Sequence, residues 1–234
     1  MVDRCLNQVV CGVDVLELRD AVNVFEKLVE ARGHVKPMYS EYHVLKALLV
    51  IERREPIGRH ALSRELRLGV ASTRTLLRRL REVGIIGVDP VGGCFLTDYG
   101  RKIVSLIRRV VKRIERVSQY VEQDLALDNE AYAALTVSQL VERYSVIELR
   151  DLFVRYGASA ALIVCIRSGV AALLPDYVAN EYSFRSLQTI RKVLSASEGD
   201  YIVVTYAPTE LQAEEALYRG LTALLLRYWS SRSQ

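Results

Sequence analysis

Apolar residues recur at helical spacing through the first half of this chain and gather into short continuous runs in the second. Over residues 14–32, Val15, Leu18, Val22, Phe25 and Val29 alternate at steps of three and four ahead of Gly33, which predicts an amphipathic helix. Pro37 and Ser40 introduce a second helix over Glu41–Arg53, with Ser40 as its N-cap and Val44, Leu45, Leu48 and Ile51 inward. A third helix is predicted at Arg59–Leu66, followed by a turn in which Gly69 tolerates a positive φ. Val70–Val83 predicts a fourth helix, with Thr73, Leu76, Leu77, Leu80 and Val83 on its apolar face. Its opposite face carries Ala71, Ser72, Arg74, Thr75, Arg78, Arg79 and Arg81. Gly84 ends that helix, and Ile85–Val88 and Cys94–Leu96 read as strands around the turn Asp89-Pro90-Val91-Gly92-Gly93.

Downstream, Thr97–Gln123 reads as one long helix. Ile103, Ile107, Val110, Ile114, Val117 and Val121 repeat at alternating steps of four and three, a heptad seam. Such a seam either packs on its own chain or joins two copies, and the reading favours a homodimer. Asp124–Ala131 then marks an expected domain boundary, giving domains of 1–123 and 124–234. Beyond it, two short helical segments are expected at roughly 136–144 and 145–156. Strands follow at Ala160–Arg167 and Val170–Leu174 around a Ser168-Gly169 hairpin. Ser183 is expected to cap a helix to Leu194, ahead of a strand at Tyr201–Tyr206 and a helix opened by Thr209 and Gln212. The expected fold class is α+β, with a small ββαβα domain at the C-terminal end.

Charge sharpens this picture. Residues 51–120 hold 16 Lys and Arg against 7 Asp and Glu, a net of +9, whereas the whole chain carries only +4. The excess therefore sits in the middle of the chain, on the helix–turn–helix–hairpin stretch and the segment just after it, where it attracts polyanions. Small polar residues at the start of the fourth helix suit base edges, and guanidinium groups suit phosphate or guanine. The expected DNA contacts are Arg59, Ser72, Arg74, Thr75, Arg78, Arg79, Gly92 and Gly93.

The run LRLGVASTRTLLRRLREVGII followed by GGCFLTDYGRKI resembles the winged helix-turn-helix regulators of archaea and bacteria. It offers a leucine-anchored recognition helix (Leu76, Leu77, Leu80), a short strand entry at Gly84-Ile85-Ile86, and Leu96-Thr97-Asp98-Tyr99-Gly100 leading into the next helix. The resemblance covers roughly residues 40–116 and implies an N-terminal winged helix-turn-helix with flanking long helices. The segments YGASAALIVCIRSGVAALLPD and GDYIVVTYAP resemble an archaeal C-terminal domain found beside such winged helices, for which the resemblance implies no activity.

The expected function is a DNA-binding transcriptional regulator, a homodimer reading a two-fold site in double-stranded DNA. The alternative is a winged-helix module that binds RNA or a protein of the transcription machinery. No catalytic constellation or phosphate-cradling glycine loop stands in the sequence, and Cys5, Cys11, Cys94 and Cys165 have no zinc spacing with His34, His43 or His60. Neither enzyme activity nor a metal or cofactor is expected. Arg outnumbers Lys 26 to 6, which fits a thermophilic archaeal source or equally a GC-rich genome; in the first case intracellular disulfides occur and Cys5–Cys11 is the candidate bridge. The chain has no run of about 18 uncharged apolar residues and no signal-peptide layout, so a cytoplasmic protein without a membrane span is expected. A small-molecule effector, if sensed, is assigned to Asp176, Tyr177, Arg185, Tyr206 and Thr209, at strand and helix ends. The helix start beside Arg185 is the candidate for an anion.

Overall fold

The computed structural model describes residues 15–175 and 177–232, so the Cys5–Cys11 bridge and Asp176 lie outside the described residues. The chain forms two compact units. Among the described residues, one comprises those from 15 to 106 together with the last segment from 226 to 232; the other is Ile107–Leu225. The boundary therefore falls ahead of the acidic stretch at 124–131, and the first unit recovers the chain's end.

In the first unit, α1 (Val15–Val29), α2 (Glu41–Arg54), α3 (Arg59–Leu66) and α4 (Val70–Glu82) precede an antiparallel hairpin of β1 (Ile86–Asp89) and β2 (Gly93–Leu96). Every residue of α2 from His43 to Ile51 is buried, so this helix is surrounded by its neighbours instead of offering one stripe. It packs against α1, α3 and β2. Ser40 stands at its N-cap, where the Ser40 backbone N–H donates to His43 Nδ1 at 3.1 Å. The turn after α3 differs from expectation. The left-handed residue is Arg67, at φ 52°, while Gly69 has an ordinary φ of −59° as N-cap of α4. Ser63 holds this turn by donating its hydroxyl to Leu68 O at 2.6 Å. Gly84, at φ 76°, ends α4 as expected, and the Ile85 N–H reaches back to Leu80 O at 2.9 Å.

The hairpin and the next helix, α5 (Asp98–Arg108), are locked by Thr97 and Gly100. Thr97 Oγ1 accepts the Gly100 N–H at 3.1 Å and donates to Gly84 O at 2.6 Å, which closes the helix start against the end of α4. A β-carbon at Gly100 would collide with the Ile85 carbonyl oxygen. The Leu-Thr-x-x-Gly pattern is thus a cap followed by a close backbone approach.

The second unit is built on an antiparallel sheet of order β3-β4-β7-β5-β6: β3 (Val111–Arg116), β4 (Glu130–Val137), β5 (Ala160–Arg167), β6 (Val170–Leu173) and β7 (Asp200–Ala207). Ala131, Ala133 and Leu135, Val164 and Ile166, and Ile202, Val204 and Tyr206 share one face, covered by Leu187, Ile190 and Leu194 of α8 (Arg185–Leu194). The opposite face meets α7 (Val146–Arg155) and the start of α9 (Glu210–Arg232), whose Ala213 carbonyl accepts from Thr205 Oγ1 at 2.9 Å. A short α6 (Ser138–Val141) follows β4. The architecture is α+β, as expected, but ββαβα understates it, because β3 and β4 precede the expected strands.

The long helix at Thr97–Gln123 does not exist. α5 ends at Arg108, the chain turns with Val110 N–H donating to Ile107 O at 3.1 Å, and β3 begins at Val111. Ser118–Tyr120 then forms a single 3-10 turn. Ile103, Ile107, Val110 and Val117 are buried within the chain, and Ile114 and Val121 are half-buried, so these six residues form no common seam. The expected dimer helix is corrected on that ground. β-branched Val110 and Val111 suit a pleated strand, and β4 supplies the hydrogen-bonding partner that a helix here would forgo.

Candidate nucleic-acid interface

Helix α4 divides its polar residues between two roles. At 3.6 residues per turn, each successive side chain is rotated by about 100°. Arg74, Arg78 and Arg81 consequently project opposite the buried stripe of Thr73, Leu76 and Leu80, and all three are exposed. Arg78 pairs loosely with Glu82 at 3.8 Å.

Arg79 does not belong to that face. Its residue is 4% exposed, and its Nη1 donates to Leu28 O at 2.9 Å and to Glu30 O at 2.6 Å. Leu28 O also accepts from Tyr39 Oη at 2.9 Å. These bonds satisfy carbonyls at the C-terminal end of α1 and fix the segment that leaves it. Arg79 is therefore corrected from a DNA contact to an internal clamp. Burial pushes the Tyr39 phenol above its ordinary range even though Arg79, Arg32 and Arg78 pull it down.

Arg59 opens α3 half-buried, with its Nε enclosed and unpartnered, so only part of its guanidinium faces outward. Ser72 and Thr75 are half-buried on the flank of α4, and the Thr75 hydroxyl donates to Ala71 O at 3.2 Å.

The hairpin tip carries no cation. Asp89 Oδ1 accepts the N–H groups of Val91 at 2.8 Å and Gly92 at 2.6 Å, and these bonds hold its carboxyl below the ordinary carboxylate range. The Gly92 amide is thereby unavailable to a phosphate. Gly93 is required by structure: at φ 109°, a side chain there would collide with the Ile57 carbonyl, which accepts the Cys94 N–H at 2.9 Å. Val91 stands fully in solvent at the tip, 98% exposed.

Sequence reading gave no sign of the segment between α1 and α2. Arg32 and Val35 pair across a turn at Gly33, which lays Lys36 and Met38 along the flank of α4. The only signal in the sequence is Lys36 beside Pro37, which is equally the mark of a solvated loop.

The expected effector residues do not assemble into one site. Tyr206 is wholly enclosed in the second unit's core, where burial raises its phenol well above the ordinary value. Thr209 is occupied in capping α9, accepting the Gln212 N–H at 3.3 Å. Tyr177 lies at the surface beneath the Arg167 guanidinium, 5.6 Å from the ring centroid. Arg185 is exposed at the first position of α8.

The start of α8 is already filled. Phe184, not Ser183, is the N-cap residue, and the carboxylate of Asp124 takes the capping role. It accepts from Ser186 Oγ at 2.5 Å and from the Ser186 N–H at 3.2 Å. An external anion at this helix end is thereby displaced by the chain's own. Desolvation works to raise the Asp124 carboxyl, but the Ser186 hydroxyl and the Ser186 and Arg185 amides outweigh it and hold it below the ordinary value. A folded-state pKa below the unfolded one stabilises above the unfolded value, and that gain is lost as pH falls through the folded one. We expect Asp124→Ala to cost about 1 kcal/mol at neutral pH, the usual worth of an N-cap. The gap from wild type should close on acidification below the ordinary Asp range, read by urea melts at stepped pH. A gap that persists there would assign the loss to another cause.

No helix among the described residues is long and apolar enough to cross a membrane. Residues 110–224 match the family model described as a domain of unknown function (DUF4443), and residues 44–102 match that of the PH0730-like N-terminal domain. No curated protein matches the chain. Among solved structures, the chain is similar to a hypothetical protein, PH0730, from the archaeon Pyrococcus horikoshii OT3. The two are 23% identical with a TM-score of 0.64, over 84% of this chain and 96% of that one. The two family models match separate stretches of the chain, and its fold is similar to that of the Pyrococcus protein.

Proposed function

We propose that this protein is a winged-helix DNA-binding transcriptional regulator in which α4 enters the major groove. The observation that carries the reading is the exposed Arg74–Arg78–Arg81 face on the second helix of a helix–turn–helix, followed at once by an antiparallel hairpin. Helices of this kind dock with their outward face against base edges while flanking groups position the backbone. The net of +9 over residues 51–120 supports the same reading. One chain carries this reading surface by itself, since the helical seam that suggested a dimer is absent.

Sequencing the DNA that copurifies with the protein supplies a candidate site. On that site, Arg74→Ala or Arg78→Ala should lose about 1–3 kcal/mol of binding if the residue reads a base, while random duplex is affected less. Arg150→Ala, on the exposed surface of α7, should change neither. Equal losses at all three positions would indicate a diffuse charge effect and reject groove docking.

A second reading is favoured by one feature, the uncharged hairpin tip with Val91 in solvent. It makes the same scaffold a docking module for a protein of the transcription machinery or for RNA. Binding to duplex that is absent at low salt would select this second reading.

A further inference from the structure

A groove of about 400 Å³ runs between the flank of α4 and the segment that links α1 to α2. Its cationic lining is Arg32, Lys36, Arg78 and Arg79, and no acidic residue lines it. Arg79 is held inward by two carbonyls, and Arg32 is paired with Glu82 at 2.6 Å. Lys36 is exposed, and among the described residues no ion pair holds its ammonium. The apolar walls include Val35 and Met38, which are 72% and 83% exposed. They stand open to solvent on a loop pinned by Tyr39 and Arg79.

Cations and open apolar side chains along one groove match the two halves of one chemical unit, the sugar–phosphate of a nucleic-acid strand. Phosphate oxygens take the ammonium, while the face of the sugar lies on Val35 and Met38. The groove is also continuous with the proposed reading face. Arg78 belongs to both, and Ala71, Ser72 and Thr75 form the shared wall. A strand whose neighbouring bases face α4 therefore enters the groove without leaving the surface.

Resting on the DNA-binding reading above, we propose that this groove seats a backbone phosphate and its deoxyribose from the DNA strand flanking the bases read by α4, with Lys36 as the phosphate contact. The segment between α1 and α2 becomes part of the interface, positioned by Arg79 through Leu28 and Glu30. Contacts of this type add affinity without sequence preference and make it salt-dependent.

The test uses the full-length chain and a random-sequence DNA duplex, with affinity measured by fluorescence anisotropy across a series of salt concentrations. Lys36→Ala should weaken binding several-fold at moderate salt and reduce the slope of log affinity against log salt by about one, the signature of one lost phosphate. Lys192→Ala, an exposed lysine on α8, should leave both unchanged. Met38→Ala should weaken binding equally on unrelated sequences and leave the slope intact, because it removes sugar packing and no charge. If wild type binds duplex and Lys36→Ala is indistinguishable from it, the groove assignment falls while the DNA-binding reading stands. If wild type shows no duplex affinity even at low salt, both fall together. A Met38→Ala chain that binds as wild type would overturn the sugar contact.

Discussion

Ending the chain at Leu225 should unfold the first unit. α9 starts in the second unit, but its last residues, from Leu226, belong to the first, and Trp229 there is the largest wholly buried side chain. Its ring meets Phe25 of α1 edge-on, with centroids 5.8 Å apart and planes at 71°. Large aromatic side chains dominate the energetics of the cores they enter, and an edge contact adds to the area buried. Trp229→Ala should therefore destabilise the first unit by about 3–5 kcal/mol, with urea unfolding followed by circular dichroism. Trp229→Phe should keep much of that stability, since the ring and its contact survive. Trp229 is the only tryptophan, so its emission in wild type reports the first unit alone. A chain truncated after Leu225 whose helical unit melts as in wild type would refute this role for the C-terminal segment. Residues 1–123 accordingly lack Trp229 and should not fold into a stable DNA-binding fragment, although that range contains all the expected DNA contacts.

The elements with local signals were legible. α2, α3 and α4 stand within one residue of their expected limits because each joins a helical apolar period to a cap or a stop. The β5–β6 hairpin likewise follows from Ser168-Gly169, both at positive φ. What was not legible depends on partners far along the chain. Val111–Arg116 satisfies a heptad as well as it satisfies a strand, and only pairing with β4, some 20 residues on, decides between them. β4 itself is buried on both faces, so it lacks the alternation that marks a half-exposed strand. The site shows the same division. Arg74 and Arg78 are outward by helical phase alone, whereas Arg79 sits one step round the helix, beside the buried stripe. Its fate was set by the carbonyls of Leu28 and Glu30, about 50 residues earlier in the chain. Asp124 is the parallel case, reading as a linker residue until α8 is folded against it.

Arg79 provides the sharpest separation of fold from function. Replacing it with Ala should cost about 3 kcal/mol of stability, because two charge-assisted hydrogen bonds are lost at roughly 1.5–3 kcal/mol each and the Glu30 carbonyl loses the Arg79 donor. Leu28 O retains Tyr39, which keeps the expected loss near the lower end of that sum. Arg74→Ala, five residues earlier on the same helix and exposed, should shift stability by no more than about 0.5 kcal/mol while weakening binding to the selected site. The two variants thus exchange phenotypes: one melts early, and the other binds poorly. Arg79 also positions Lys36, so the salt-slope change produced by Lys36→Ala should shrink when it is introduced into an Arg79→Ala background, at a temperature where that background is folded. Interaction of this kind is what a double-mutant cycle isolates. If Arg79→Ala retains wild-type stability and loses DNA selectively, the guanidinium acts on the nucleic acid after all, and the clamp at the end of α1 does not govern this surface.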